Sequence, residues 1–408
     1  MTLSFKWLID PIEPTRFFAD FYEQKPLLIE RQQPSKFASL LSIEAIDHFL
    51  STTTPSRSDV FLVDAARDLK PDDYSYPGSH PSGRIDLPRV YELFGKGATI
   101  SLSQMHERLS SLADLCRAME KTFSSHFQTN IYLSPRHAQG FKTHFDSHDV
   151  FVLQVSGSKL WTLYEGGIVL PLRGQAFDPD NHTPGPPTRE FTLHAGDLLY
   201  CPRGLYHSAR STNETSLHIT LGLIGKTWAD VMMEAMSAAC LASPAFRANL
   251  PIGFANAGFD PSQAAVTFRT LIETFARDAE LPPVLERLAA DFVTSRRPPL
   301  YGCLQELEGA PELSIESTVG CRPDLVFLVR EEDEGLVVLF GSTEIIFPAS
   351  AREAVIFALS GTPFVVGDLP GQLDDAGKLV LTRRLLREGL LVRDAEIRSD
   401  SASTDERR

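Results

Sequence analysis

The chain has 408 residues, more than a single hydrophobic core usually supports, so two or three domains are expected. Apolar residues make up 43% and charged residues 23% of the sequence, which excludes disorder throughout the chain. The net charge of −14 argues against a chain-wide affinity for nucleic acid or anionic membranes.

The five cysteines are scattered and form no CxxC pair, which favours buried thiols over a disulfide framework or a zinc site. The first residues, MTLSFKWLIDP, lack the uninterrupted apolar region of a signal peptide. No run of 18 apolar residues predicts a transmembrane helix. Together these features predict a cytoplasmic protein that does not associate with membranes.

The N-terminal part of the chain alternates short helical patterns with prolines. Thr15 and Ser42 are each placed to cap a short helix, and Leu27–Glu30 has a strand pattern. Residues 68–88 are rich in Pro, Gly, Ser and Asp, which predicts a long loop. Apolar residues near helical spacing predict a helix over 103–123.

Short strands separated by glycine turns dominate residues 128–224, a pattern typical of a sandwich or barrel. Within this region, the many Pro, Gly, Asp and Asn residues of 165–189 predict a loop over the mouth of the barrel. The predicted strands are Asn130–Leu133, Val150–Val155, Leu160–Tyr164, Glu190–Leu193, Asp197–Cys201 and Ser216–Leu223.

The rest of the chain changes character twice. Residues 226–308 are helical in pattern, and residues 314–395 mix strands with helices at Ala351–Leu359 and near 378–388. The polar tail is predicted to be disordered. The predicted domains are a catalytic barrel with an N-terminal helical extension (1–225), a helical domain (226–310), a mixed domain (311–395) and the tail (396–408).

One motif carries the functional signal. His144 and Asp146 lie two residues apart, and on an extended strand such residues face the same side. A third candidate ligand, His207, follows a strand and a Pro-x-Gly turn. Two imidazoles and one carboxylate on one face of an octahedron form the ligand set of non-haem Fe(II) oxygenases, with positions left for an oxo-acid and O2. The same three ligands could instead bind zinc, which would suit hydrolysis.

Other histidines near the motif have weaker claims. His148 would share the face of the two ligands if the strand continued, as an alternative ligand or, more simply, as a loop or substrate-facing residue. His218 lies inside a strand pattern and is expected to be a packed residue. His137 and His194 have no partner pattern.

An oxo-acid co-substrate would need a cation inside the barrel for its distal carboxylate. Lys159, within the apolar run KLWTLY, is the best candidate, although most lysines are exposed. Asn130 and Tyr132 share one strand face and could donate hydrogen bonds to the same carboxylate, as could Thr220. Plain residues at the edge of the core would give the same pattern.

The segments HFDSHDVFVLQVSGSKLWTLY, AGDLLYCPRGLYHSA and SLHITLGL resemble the JmjC/cupin-type ribosomal oxygenases, which include bacterial arginine hydroxylases and eukaryotic histidyl hydroxylases. The stretch YEQKPLLIERQQPSKFASLLSIEAID is similar to the opening segment of that family. The resemblance implies a mixed α+β fold: a double-stranded β-helix barrel, then a helical dimerisation domain over 226–310 and a C-terminal winged-helix-like domain.

The resemblance also implies a chemistry. It implies Fe(II) on His144, Asp146 and His207, O2 as oxidant, and Lys159 paired with the 5-carboxylate of 2-oxoglutarate with Asn130 nearby. The implied activity is hydroxylation of an amino-acid side chain in a protein or peptide, with ribosomal proteins as the expected substrates. Eukaryotic members have a small hydroxyl residue for 2-oxoglutarate where this chain has Gly222, so Thr220 or water would substitute.

Two alternatives remain open at this point: the same chemistry on a natural-product peptide or small molecule, and an inactive dimeric metal-binding scaffold. A winged-helix-like domain could suggest nucleic-acid binding. Residues 314–395, however, hold 8 Lys and Arg against 13 Asp and Glu, a net charge of −5, so no direct nucleic-acid contact is expected.

Overall fold

A computed structural model describes residues 3–76, 83–298, 300–304, 313–323, 325–332 and 335–393. The chain divides into two compact units, residues 1–225 and residues 226–397. The centre of the predicted 68–88 loop and the predicted tail from 396 onward lie outside the described residues. None of the described helices is long and apolar enough to cross a membrane.

Among residues 3–76 and 83–225, five α-helices accompany the strands of the first unit. Ser42 caps α3 as predicted, since its side chain accepts a hydrogen bond from the backbone of Ala45. The predicted cap at Thr15 is wrong: Pro14 opens that helix at its first position, so Glu13 becomes the N-cap. The helices are α1 (Phe5–Ile9), α2 (Pro14–Asp20), α3 (Ile43–Thr52), α4 (Leu87–Gly95) and α5 (Ser110–Phe123).

Ten strands form the barrel of the first unit, in two antiparallel sheets. The larger sheet has the order β1-β8-β5-β10-β4-β3-β2, and the smaller has the order β7-β6-β9. The barrel part of the predicted fold is therefore confirmed. The strands are β1 (Leu27–Ile29), β2 (Val60–Val63), β3 (Thr99–Leu102), β4 (His126–Ser134), β5 (Asp149–Ser156), β6 (Ser158–Tyr164), β7 (Pro187–His194), β8 (Leu198–Cys201), β9 (His207–Ser211) and β10 (Ser216–Ile224).

The strand alternation sets which residues line the barrel interior. On β10, Leu217, Ile219 and Leu221 belong to the apolar core shared with the N-terminal helices. The residues between them, His218 and Thr220, face a cavity on the opposite side of the larger sheet. One face of this sheet thus binds the helices, and the other is free to carry a site.

The second unit contains helices first and small sheets afterwards. Its described helices are α6 (Trp228–Ala242), α7 (Ser262–Asp278), α8 (Leu281–Thr294), α9 (Arg352–Ala358) and α10 (Asp375–Arg387). Two three-stranded sheets, β15-β11-β16 and β12-β13-β14, follow α8 in the chain. Their strands are β11 (Thr318–Cys321), β12 (Phe327–Glu332), β13 (Gly335–Phe340), β14 (Thr343–Pro348), β15 (Phe364–Val365) and β16 (Leu391–Arg393). The predicted winged-helix-like character and the boundary between 310 and 311 stay predictions.

Candidate metal centre in the barrel cavity

The segment that carries His144 and Asp146 is not a regular strand, contrary to the sequence prediction. It runs toward β5, which begins only at Asp149, and it is fixed by one bridge. The His144 amide donates to the His207 carbonyl at 3.1 Å, and the His207 amide donates to the His144 carbonyl at 2.8 Å. This reciprocal pair places the two imidazoles side by side, with ring centroids 4.6 Å apart.

The two histidines and Asp146 converge on one point. Each offers a ligand atom, and these atoms all lie within 4.8 Å of one another. The Nδ1 atom of His144 lies 2.8 Å from the Lys142 carbonyl, and that of His207 lies 3.0 Å from the Leu205 carbonyl. Because a carbonyl only accepts, each Nδ1 carries the proton and each Nε2 keeps a free lone pair, as a metal ligand requires.

The protonation state of His207 favours cation binding at this cluster. Burial and the nearby His144 lower the pKa of His207 to about 4, although the Asp146 carboxylate, whose Oδ2 lies 3.6 Å from Nε2, opposes the shift. His207 is therefore neutral at pH 7. Two imidazoles and a carboxylate match the donors preferred by Fe(II) or zinc.

The convergence point opens into a cavity of about 100 Å³ inside the barrel. Lys159, on β6, lines this cavity and is only 4% exposed, whereas Phe141 in the same lining is 42% exposed, so Lys159 marks the closed end. Its Nζ donates to Ser134 Oγ at 3.1 Å, and burial lowers its pKa to about 7, with no acidic group among the described residues opposing the shift. A buried amine without a counter-ion fits an anionic guest.

The three weaker predicted residues also line this cavity. Asn130 and Tyr132 share the inner face of β4, and Thr220 pairs with Asn130 across the β4–β10 ladder. Asn130 Oδ1 accepts from the backbone amide of Gln104 at 3.3 Å, which fixes the orientation of its side-chain amide. The seven predicted site residues are thus brought together, while His137 and His194 lie outside the cavity lining.

Curated proteins similar to this chain are named as oxygenases. The bifunctional lysine-specific demethylase and histidyl-hydroxylase NO66 of Drosophila yakuba is 34% identical over 221 residues, covering 53% of this chain and 32% of that protein. Ribosomal oxygenase 1 of Danio rerio is 31% identical over 265 residues, covering 61% of this chain and 46% of that protein. The chain thus spans between about a third and a half of these relatives.

The family model of the JmjC domain matches residues 101–231, a range that includes all three converging side chains. This region of the chain is thus similar to the JmjC domain, and the chain is similar to curated proteins named as ribosomal oxygenases. A crystal structure of Escherichia coli YcfD covers 94% of this chain and 98% of its own with a TM-score of 0.56. Another, of YcfD in complex with cobalt and 2-oxoglutarate, has a TM-score of 0.55. Their sequence identities of 14% and 16% support the shared fold alone.

The sequence analysis missed several polar side chains of this cavity. Ser134 Oγ, which binds Lys159, lies 2.9 Å from Thr99 Oγ1. His218 stacks on Tyr132 with ring centroids 4.9 Å apart, and burial together with Lys159 lowers the pKa of His218 well below its usual value. Extending the alternation from Asn130 and Tyr132 by two residues would have found Ser134, but the other contacts depend on strand register.

Aromatic side chains hold the segment that carries His144 and Asp146 against the 165–186 loop. Phe145 packs against Phe177, His182 and Tyr206, with centroid distances of 5.6, 5.1 and 5.5 Å. Phe177 also meets the His144 ring edge-on at 6.4 Å. The loop therefore buttresses one imidazole rather than merely covering the barrel mouth.

Glycines allow the root of that loop to approach the turn before His207. A Cβ on Gly167 would lie 2.0 Å from the Gly204 carbonyl oxygen, and a Cβ on Gly204 would lie 1.8 Å from the Ile168 carbonyl oxygen. Both glycines also have positive φ, at 99° and 84°. Any side chain at either position would push the loop away from the strand that carries His207.

Proposed function

We propose that this protein is an Fe(II)- and 2-oxoglutarate-dependent oxygenase that hydroxylates an amino-acid side chain in a protein, with ribosomal proteins as its substrates. One observation carries the proposal: a three-ligand cluster and a buried, counter-ion-free lysine share a single cavity. Hydrolytic zinc sites need no such cation. The complex of YcfD with cobalt and 2-oxoglutarate supports the same pairing of metal and co-substrate.

His144, Asp146 and His207 would hold the iron. Bound Fe(II), with 2-oxoglutarate and O2, supplies the oxidising power that places one oxygen atom on a C–H bond while 2-oxoglutarate leaves as succinate and CO2. The Lys142 and Leu205 carbonyls fix the histidine tautomers, and the His144–His207 bridge fixes the ring positions. The chain thus contributes a preformed ligand geometry.

Lys159 would receive the distal carboxylate of 2-oxoglutarate at the closed end of the cavity. The Ser134 hydroxyl accepts a hydrogen bond from the Lys159 amine and so fixes its position. A bound carboxylate would give the buried amine a partner of opposite charge. Tyr132, Asn130 and Thr220 line the path between this end and the metal ligands and are proposed to orient the co-substrate by hydrogen bonds. Trp161, whose ring lies 5.8 Å from that of His207, closes the wall and excludes water.

A protein substrate fits the names of the relatives and the charge of the chain. The relatives are named for histidyl hydroxylation, lysine demethylation and ribosomal oxygenation. The net charge of −14 favours encounter with basic partners such as ribosomal proteins, because opposite charges steer association.

The decisive experiment is intact mass spectrometry of ribosomal proteins from cells with and without this protein. The proposal expects one ribosomal protein to be heavier by one oxygen atom only when the protein is present. Purified protein with iron should also convert 2-oxoglutarate to succinate. Conversion without any shifted ribosomal protein would favour a peptide or small-molecule substrate, and no conversion at all would favour the inactive scaffold.

We also propose that α6 and α7 of the second unit form a homodimer interface. These helices expose large apolar side chains, including Trp228 at 72% and Phe268 at 64% exposure. A second copy of the chain would cover this apolar surface. Replacing both Trp228 and Phe268 by Glu should shift sedimentation from dimer to monomer, whereas Val380→Glu, an exposed apolar position on α10, should not.

A further inference from the structure

A buried ion pair joins the two chain segments that carry the metal ligands. Asp149 is the first residue of β5, three positions after Asp146. Arg203 lies in the turn between β8 and β9, four positions before His207. Arg203 Nη1 lies 3.3 Å from Asp149 Oδ2, and these two side chains are 13% and 2% exposed. Neither residue lines the cavity, so the pair does not itself touch a bound metal or co-substrate.

The backbone next to this ion pair holds Asp146 directly. The amide of Gly204 donates a hydrogen bond to the carbonyl of Asp146 at 2.8 Å. Because the segment around Asp146 belongs to no strand ladder, its position depends on single contacts of this kind. A displacement of the turn at Arg203 would therefore move Asp146 through this bond, and His207 through the short stretch that follows the turn.

Two further groups complete the surroundings of the ion pair. The Tyr200 hydroxyl donates to Asp149 Oδ1 at 2.6 Å, so both oxygens of this carboxylate have a partner. Arg203 Nη1 also donates to the carboxylate of Glu23. Buried charges are tolerated only when they are paired and hydrogen-bonded in this way. The guanidinium is thus held between one carboxylate of the barrel and one of the N-terminal extension.

Glu23 is fixed to this cluster by its backbone as well as by its side chain. It follows α2 and lies outside residues 101–231, the region that matches the family model. Its amide donates to the Tyr200 hydroxyl oxygen at 2.9 Å, and its φ is 56°. A positive φ is unfavourable for a residue with a side chain and persists where the surrounding contacts hold it. The N-terminal extension is therefore attached to the turn before His207 at one defined residue.

We propose that Arg203, Asp149 and Glu23 position the metal ligands, so that the N-terminal extension is needed for tight metal binding as well as for the fold. The inference rests on the proposed function for the identity of the ligands. The guanidinium fixes the turn, and the turn fixes Asp146 through the Gly204 amide. Glu23 holds the guanidinium from the opposite side. All three act through other residues and are positioning residues.

Titration of the full chain with cobalt(II), followed by visible absorption without 2-oxoglutarate, tests this proposal. Arg203→Met should weaken cobalt(II) affinity by about tenfold or more, because groups that orient metal ligands contribute effects of this size. Arg203→Lys should restore part of the affinity, since an ammonium can still pair with one carboxylate. Glu23→Gln should weaken the affinity by about threefold, because it removes the charge but keeps a hydrogen-bond acceptor.

A second buried ion pair supplies the matched control. On α5, Arg117 Nη1 lies 2.7 Å from Glu120 Oε2, the side chains are 16% and 1% exposed, and neither residue lines the cavity. Arg117→Met should lower the melting temperature as Arg203→Met does, because each change removes the cation from a buried carboxylate. Its cobalt(II) affinity should stay within about twofold of the wild type, since the pair is independent of the metal ligands.

The possible outcomes are distinct. An equal loss of cobalt(II) affinity in Arg117→Met and Arg203→Met would assign the effect to general destabilisation and overturn the inference. Unchanged affinity in Arg203→Met would overturn it as well. If Arg203→Met does not fold, Glu23→Gln decides, because Glu23 is 33% exposed and its replacement leaves the buried pair intact.

Failure of the proposed function would give a different result. A wild-type protein that binds cobalt(II) but converts no 2-oxoglutarate to succinate would reject the proposed function, while the cobalt(II) series would still support or overturn the positioning role. A wild-type protein that binds no cobalt(II) would reject both.

Discussion

The two ends of the barrel cavity are built on opposite principles. At the closed end, Lys159 donates a hydrogen bond to Ser134, and its amine has no acidic partner among the described residues. An anionic ligand would supply that partner. Elsewhere in the cavity lining, His148 Nδ1 has no hydrogen-bond partner among the described residues, and the 42%-exposed Phe141 packs against the His144 ring. The closed end is suited to a single anionic ligand, whereas the residues of the more exposed side can differ with the substrate.

The largest effect is expected at the proposed metal ligands, which lie in the same cavity as both ends. His144→Ala or Asp146→Ala should reduce conversion of 2-oxoglutarate to succinate to background, because two ligands cannot hold the metal in the required geometry. The measurement is succinate formed per enzyme at saturating iron, with His48→Ala as the control. Substantial turnover in either variant would mean that the metal lies elsewhere.

Lys159→Met should sharpen the contrast by removing the charge at the closed end while keeping the volume. The KM for 2-oxoglutarate is expected to rise about 100-fold or more, since a buried carboxylate would lose its only cation. Lys142→Met, an exposed lysine two residues before His144, serves as the matched control and should leave that KM unchanged. Equal KM values for the Lys159 and Lys142 variants would remove Lys159 from the binding site.

The pKa of Lys159 makes a third, smaller effect measurable. Because burial lowers this pKa to about 7, the amine is charged below pH 7 and increasingly neutral above it. Above pH 7, part of the free energy of anion binding is therefore used to protonate the amine. The dissociation constant for 2-oxoglutarate should rise by about tenfold per pH unit above 7. The neighbouring His218 stays neutral in this range because its own pKa is lowered. In Lys159→Met the slope should disappear.

The smallest effect concerns the open side. Phe141→Ala should reduce oxygen incorporation into ribosomal proteins by about three- to tenfold, since an exposed ring against Tyr132 and His144 offers apolar contact to a substrate. Affinity for 2-oxoglutarate should change little. A larger effect on the co-substrate than on the substrate would contradict the division between the two ends.

Some of this architecture could be predicted from the sequence, and the reason is local patterning. The strand alternation around Asn130 and Tyr132 and the spacing of His144, Asp146 and His207 are local signals, and the predicted barrel is confirmed. The predicted strand through His144 is wrong, because a bridge to His207, 63 positions along, holds this segment in place of a ladder. The contact of His148 with Gly222 depends on the register of β10 and could not be predicted from either residue alone.

The glycine contacts at 167 and 204 have a consequence for how this protein can diverge. They pin both the start of the 165–186 loop and the turn before His207, so the loop can vary without shifting the His207 imidazole as long as Phe177 and His182, which support the His144 segment, are kept. Variation of the surface is thereby confined to the loop positions between these fixed points. A lineage of such chains could acquire new binding partners by exchanging those positions alone, and an engineer could replace them on the same grounds.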